Sequence, residues 1–210
     1  MEEQLTKWPL ILLFLSILVI SILASKVRKL KHCLKCQQDL EQDLRYCSEH
    51  DALSGVKNRN ALAKQLQSLE GKEITALVCD IDGLKIINDT LGHWAGDQLI
   101  CKTAEVLISA SPQHADIFRT GGDEFLIILP EKLSSKHRTE LYQKVKQEVA
   151  VYNQDANSLP FSLSVGIAIG GLEGENVMDV IREADYVMYQ EKRQCQERVK
   201  QSLKHVLKNM

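Results

Sequence analysis

Residues 116–129 read Asp-Ile-Phe-Arg-Thr-Gly-Gly-Asp-Glu-Phe-Leu-Ile-Ile-Leu, two short apolar runs parted by Gly121 and Gly122. Paired glycines between strand-like runs predict a β-hairpin, because glycine enters tight-turn conformations at little steric cost. The turn carries two carboxylates, Asp123 and Glu124, at its tip. Gly121 and Gly122 also let backbone approach a nucleotide with no Cβ in the way.

Upstream, Glu73 to Ile81 is a near-continuous apolar run of strand length, the pattern of a central strand covered on both faces. Asp51 to Asn60 has turn composition, and an amphipathic helix over Arg59–Leu69 stops at Gly71. Further helices are predicted over Gly96–Ala110, Ser134–Tyr152 and from Val177 to Lys192 or beyond, with a strand over Phe161–Ile169. The expected fold class is α/β (α+β): a central mixed or antiparallel sheet flanked by helices, over residues 51–195, followed by a charged helical tail at 196–210.

Asp80-Ile81-Asp82 closes the buried strand, and Asp123-Glu124 occupies the hairpin tip. Hard oxygen ligands at strand ends suit Mg²⁺, which shares its shell with substrate phosphates. Lys85 adds a cation nearby, and Asn88, Asp89, His93 and Asp97 follow as short polar groups fit to read a base or ribose. On residue types alone, solvated or capping roles for these acids stay open. A net charge of −2 predicts no nucleic-acid partner.

From Trp8 to Ala24 the chain reads WPLILLFLSILVISILA, with only Ser16 and Ser21 polar. As a helix this spans about 26 Å, slightly short of a bilayer core but workable with flanking anchors. The expectation is a tail at 1–7, a transmembrane helix at 8–25 and a cytoplasmic helical linker at 26–50. Lys26, Arg28, Lys29, Lys31 and Lys35 follow the apolar run while Glu2 and Glu3 precede it, so the remainder is expected in the cytoplasm, behind a single pass of a bacterial inner membrane. A cleaved signal peptide is the rival, but Ile22-Leu23-Ala24 makes a poor cleavage site.

Six cysteines stand at 33, 36, 47, 79, 101 and 195. Cys79 and Cys101 lie in apolar runs, where a thiol behaves as a small hydrophobe. Cys33-x-x-Cys36 and Cys47-x-x-His50 have a zinc-like spacing. If the segment stays helical, the two pairs lie about four turns apart, and metal or disulfide chemistry then needs either a turn near Gln37–Glu41 or a partner chain.

Taken together, these motifs resemble the GGDEF family of diguanylate cyclases from about Asp51 to Lys192. Gly121-Gly-Asp-Glu-Phe125 is its signature; Asp51-Ala-Leu-Ser-Gly-Val-Lys-Asn-Arg59, Asp80-Ile-Asp-Gly-Leu-Lys-Ile-Ile-Asn-Asp89 with Gly92-His93 and Gly96-Asp97, Ser164-Val-Gly-Ile-Ala168, and Ala184-Asp185 with Tyr189 and Lys192 follow the family's order. The resemblance implies a palm-like, nucleotidyl-cyclase-like domain acting as a homodimer, each copy holding one GTP. The 3′-hydroxyl of each GTP attacks the α-phosphate of the other, giving cyclic di-GMP and two pyrophosphates. It implies that Asp80, the Ile81 carbonyl, Asp123 and Glu124 hold Mg²⁺ (or Mn²⁺), and that Asp123 takes the hydroxyl proton. Lys85 would stabilise phosphate charge, Asn88 and Asp97 read guanine with His93 alongside, and Lys192 contact the terminal phosphate. A carboxylate at Asp97 can accept both N1–H and the amino group of guanine, a pairing adenine lacks.

Two departures stand out. Where the family carries an Arg-x-x-Asp product-inhibition site, this chain has Pro112-Gln113-His114-Ala115. The closing Gly-Arg-Asn is replaced by Cys195-Gln196-Glu197. Leu84 for the commoner Phe is milder. The altered close supports a second reading, a GTP-binding or scaffolding module without turnover.

Overall fold

A computed structural model of the protein describes the backbone of residues 7–155, 158–171 and 176–208, and the side chains among them except 7–11, 17, 19 and 196–208. It divides into two units, Met1–Cys47 and Ser48–Met210.

Among the described residues the first unit is helix α1, which runs unbroken over Lys7–Glu49. Its length follows from a stretch without glycine and rich in strong helix formers after Pro9. No boundary separates the expected membrane helix at 8–25 from the expected linker at 26–50. Among the described residues no helix is long and apolar enough to cross a membrane. The apolar run is short and five basic residues follow it, while several of its own side chains, and residues 1–6 of the tail expected at 1–7, lie outside the described residues.

In the second unit the elements run α2 (Arg59–Leu69), β1 (Ile74–Ile81), α3 (Leu84–Leu91), α4 (His93–Ala110), β2 (Asp116–Arg119), β3 (Glu124–Leu129), α5 (Ser135–Tyr152), β4 (Leu163–Gly170) and α6 (Val177–Lys208). The four strands form one sheet in the order β2-β3-β1-β4, with every neighbour antiparallel. The sheet is therefore antiparallel rather than mixed.

β1 is buried at all eight positions because both its faces are covered. Leu77, Cys79 and Ile81 join Phe125, Ile127 and Leu129 under α4 and α5, where Leu99, Leu107, Leu141 and Val145 pack. Ile74, Ala76 and Val78 join Leu126 and Ile128 on the other face, under Leu69 of α2 and Val180, Ala184 and Met188 of α6. Strand alternation divides an apparently uniform apolar run between two cores. A Cβ on Gly166 would stand 2.1 Å from the Ala184 carbonyl and 2.2 Å from the Met188 nitrogen, so α6 lies with its backbone against β4.

Between β1 and the predicted helix at 96–110 the structure inserts α3 and starts α4 earlier, at His93. Gly83 and Gly92, at φ of 75° and 86°, bracket α3, and these left-handed positions are where glycine is least strained. Leu84 and the partly buried Ile87 supply its inner face. The charged tail expected at 196–210 shows no boundary at 195 either; α6 continues as helix through it to Lys208.

Candidate active site

The site forms where β1 ends beside the turn of the β2–β3 hairpin. Asp80 pairs with Glu124 across the strands, and the Ile81 N–H donates to the Asp123 carbonyl at 3.1 Å. Asp80 and Asp123, 43 positions apart in sequence, thus meet at one end of the sheet. Asp80 is buried, at 5% exposure. Lys192, on α6, donates its Nζ to Asp80 Oδ1 at 2.6 Å.

Electrostatics mark this corner as short of positive charge. Burial pushes the Asp80 carboxyl above the usual carboxylate range, the charges of Asp123 and Asp82 push the same way, and the Lys192 bond only partly opposes them. Burial disfavours the Lys192 ammonium, yet its bond to Asp80 and the charges of Asp123 and Asp82 outweigh this and raise its pKa. A hard divalent cation beside Asp80, the Ile81 carbonyl and Asp123 would answer the same excess of negative charge, so the residues fit Mg²⁺. Among the described residues no three His, Cys, Asp or Glu side chains converge as a ready-made metal cage, which also means that Cys33, Cys36, Cys47 and His50 do not.

Asp82, the third acid of this run, is committed elsewhere: Ser162 and Ser164 hydroxyls donate to its two oxygens, each at 2.7 Å. Glu124 folds back over Gly121, where a Cβ would stand 2.7 Å from its Oε2. Gly121 is therefore needed for close approach as much as for the turn.

The remaining predicted residues line up along α3 and α4. Asn88 lies over Gly96, whose Cβ would fall 2.0 Å from Asn88 Oδ1. That oxygen is buried with no hydrogen-bond partner, an acceptor left waiting for a donor such as a guanine amino group. Asp97 is half-buried one turn into α4, close enough for its charge to raise the Cys101 thiol pKa, behind burial as the larger cause. Lys85 and His93 are exposed and make no hydrogen bond or ion pair among the described residues. The protein alone does not bring them to the acidic corner.

Sequence reasoning missed the clamp beneath the hairpin. Arg119 donates through Nη1 to Asp51 Oδ1 at 2.9 Å and through Nη2 to the Gly122 carbonyl at 2.8 Å. Asp51 also accepts from the Ser54 N–H and hydroxyl at 2.8 and 2.6 Å. The Asp51-to-Ser54 spacing is a legible turn signal, but no local pattern ties it to residue 119. At the sheet's outer edge, Glu191 accepts from Lys146 at 2.5 Å and from the Val165 N–H at 3.1 Å, while Lys146 also donates to the Leu163 carbonyl. Two side chains thereby satisfy backbone groups that no strand pairs. Clefts of about 510 and 460 Å³ flank the hairpin, one lined by Asp51, Arg119 and Gly122, the other by Val78, Glu124 and Asp185; neither reaches Asp80, Lys85, Asn88 or Asp97.

Residues 48–198 match the family described as diguanylate cyclase, GGDEF domain. The chain belongs to the GGDEF family. It is 31% identical over 176 residues to the diguanylate cyclase DgcM of Escherichia coli, covering 80% of this chain and 42% of that protein. It is equally, at 31% over 160 residues, similar to the cyclic di-GMP phosphodiesterase NbdA of Pseudomonas aeruginosa, covering 71% of this chain and 20% of that one. The chain thus spans less than half the length of these relatives. Among solved structures, the coiled coil and GGDEF domain of DgcB from Caulobacter crescentus, in complex with c-di-GMP, superposes with a TM-score of 0.69 at 25% identity, covering 81% of this chain and 94% of that one.

Proposed function

We propose that the chain is an active diguanylate cyclase, condensing two GTP molecules into cyclic di-GMP and two pyrophosphates across a homodimer. The observation that carries this is the meeting of Asp80 and Asp123 at the hairpin, in a buried corner where Lys192 already answers the acidic charge. Asp80, the Ile81 carbonyl, Asp123 and Glu124 would hold Mg²⁺ or Mn²⁺. The cation, when bound, neutralises charge building on the phosphates.

The chain's own residues do the rest. Asp123, next to glycines that keep its approach open, accepts the proton of the attacking 3′-hydroxyl. Asn88 offers its unpaired Oδ1 to the guanine amino group, and Asp97 accepts from N1–H and the same amino group. Lys192 exchanges its contact with Asp80 for the triphosphate, and Lys85, free on α3, closes on the phosphates. His93 stands beside the substrate at the start of α4.

Two copies are needed because one domain holds one nucleotide and supplies one attacking hydroxyl. The apolar run at 8–24 would anchor the chain in the bacterial inner membrane with the domain in the cytoplasm. His114, at the place of the family's inhibitory arginine-aspartate pair, bonds Glu131 at 2.7 Å and carries no such pair. Feedback through that site is therefore not expected.

Incubating residues 45–210 with GTP and Mg²⁺ and weighing the product tests the reading. Cyclic di-GMP supports it. GTP binding without product, with the Asp123→Ala protein indistinguishable, would establish the non-catalytic module instead.

A further inference from the structure

The unbroken α1 settles how the linker thiols are disposed. At 100° per residue, Cys33, Cys36, Leu40, Leu44 and Cys47 fall within about 40° of one line down the helix. All three thiols are exposed, and so are both leucines, at 58% and 63%. Cys33 and Cys47 are 14 residues apart, about 21 Å along the axis. They cannot meet within one chain, and neither can share a metal with the other.

We propose that this face is a thiol zipper between two copies of the chain, with the helices parallel and in register, closing by disulfides between like cysteines. Cys33, Cys36, Leu40 and Cys47 fall on the 3-4 spacing of facing seam positions, at offsets of 3, 7 and 14 from Cys33, with Asp43 interrupting the seam at offset 10. In a parallel pair each such residue meets its own copy. Helix axes about 8–10 Å apart, with Cα atoms about 2.3 Å off each axis, bring facing Cα atoms within reach of the disulfide window of about 4.4–6.8 Å. The second copy is the occupant for two reasons on the molecule itself. A leucine pair at the centre needs an apolar partner, and thiols at three heights along one seam find thiols at the same heights only on an identical chain. The parallel sense follows from the proposed dimer, on which it rests: two chains anchored by the same apolar run enter from the same side.

The oxidant is a hydroperoxide. One thiolate attacks the peroxide oxygen, the O–O bond breaks, and the thiol becomes a sulfenic acid with release of water or alcohol. The facing thiol then displaces the hydroxyl as a second water, and the S–S bond forms. Two sulfurs are oxidised, one peroxide is reduced, and both thiol protons end in the released molecules.

The test uses the full chain in detergent, treated with hydrogen peroxide, run on a denaturing gel without reductant, and mapped by mass spectrometry of its peptides. The expected result is a doubling of mass that dithiothreitol reverses, with Cys33–Cys33, Cys36–Cys36 or Cys47–Cys47 as the bridging peptides. Cys33→Ser/Cys36→Ser/Cys47→Ser should stay at single mass. A bridge between Cys33 and Cys47 shows antiparallel helices, a Cys33–Cys36 bridge within one chain shows no facing partner, and an unchanged mass shows no zipper; each overturns the proposal. Bridging is read without nucleotide, so a chain that cross-links but makes no product retains this inference and loses the cyclase.

Discussion

Asp51 ties the start of the second unit to its hairpin through bonds to Arg119 and Ser54, although it never enters the acidic corner. Burial works to raise its carboxyl pKa, but the Ser54 and Arg119 bonds outweigh it and hold it below the usual 3.8. A depressed folded value contributes stability that is present above the unfolded pKa and is lost as pH falls through the folded one. Wild-type protein should therefore lose stability below about pH 4 through this group, and Asp51→Asn should flatten that part of an acid-denaturation curve. Asp51→Ala should cost about 1.5–3 kcal/mol in urea melts at neutral pH, since it strands a guanidinium that is mostly buried. Asp123→Ala tests the proposed chemistry instead: the expected outcome is a loss of several kcal/mol of barrier stabilisation, on the order of a thousandfold in cyclic di-GMP formation, with little change in melting temperature.

Contacts between whole elements decide the rest of the site's geometry. α6 reaches Asp80 with Lys192 only because Gly166 lets its backbone lie against β4. Gly166→Ala forces the helix outward, and should cost about 1–3 kcal/mol or more by thermal denaturation while also lowering turnover through Lys192. Gly96→Ala tests the nucleotide side: its methyl group would displace Asn88, so KM for GTP should rise with a smaller effect on stability. The edge of β4 shows the same logic in reverse. Lys146 and Glu191 satisfy the outward groups of Leu163 and Val165, which blunts an edge that would otherwise invite pairing with another chain.

At the scale of the whole molecule, one copy of the second unit holds half of the proposed reaction, so activity should depend on how often two copies meet. Removing residues 1–47, the whole of the first unit, should leave a folded domain whose specific turnover rises with protein concentration, whereas the full chain should show a weaker dependence. Turnover assays across a dilution series of both proteins read this directly.

Much of the sheet was legible in the sequence. A strand buried on both faces, a glycine-paired hairpin and amphipathic helices leave periodic marks within a dozen residues, because each element is stabilised by its own local pattern. The helix formers of the apolar run and of the linker behind it likewise mark helix on both sides of residue 25, and α1 runs through both. Motif order also pointed to Asp80, Asp123, Asn88 and Lys192 as candidate site residues. It did not say that Lys192 grips Asp80, that Arg119 clamps Asp51 to the hairpin, or that Asp82 turns away to two serines. Each of those pairs residues 68 to 112 positions apart. Contacts across such distances depend on strand register and helix placement, and only the packed chain sets those.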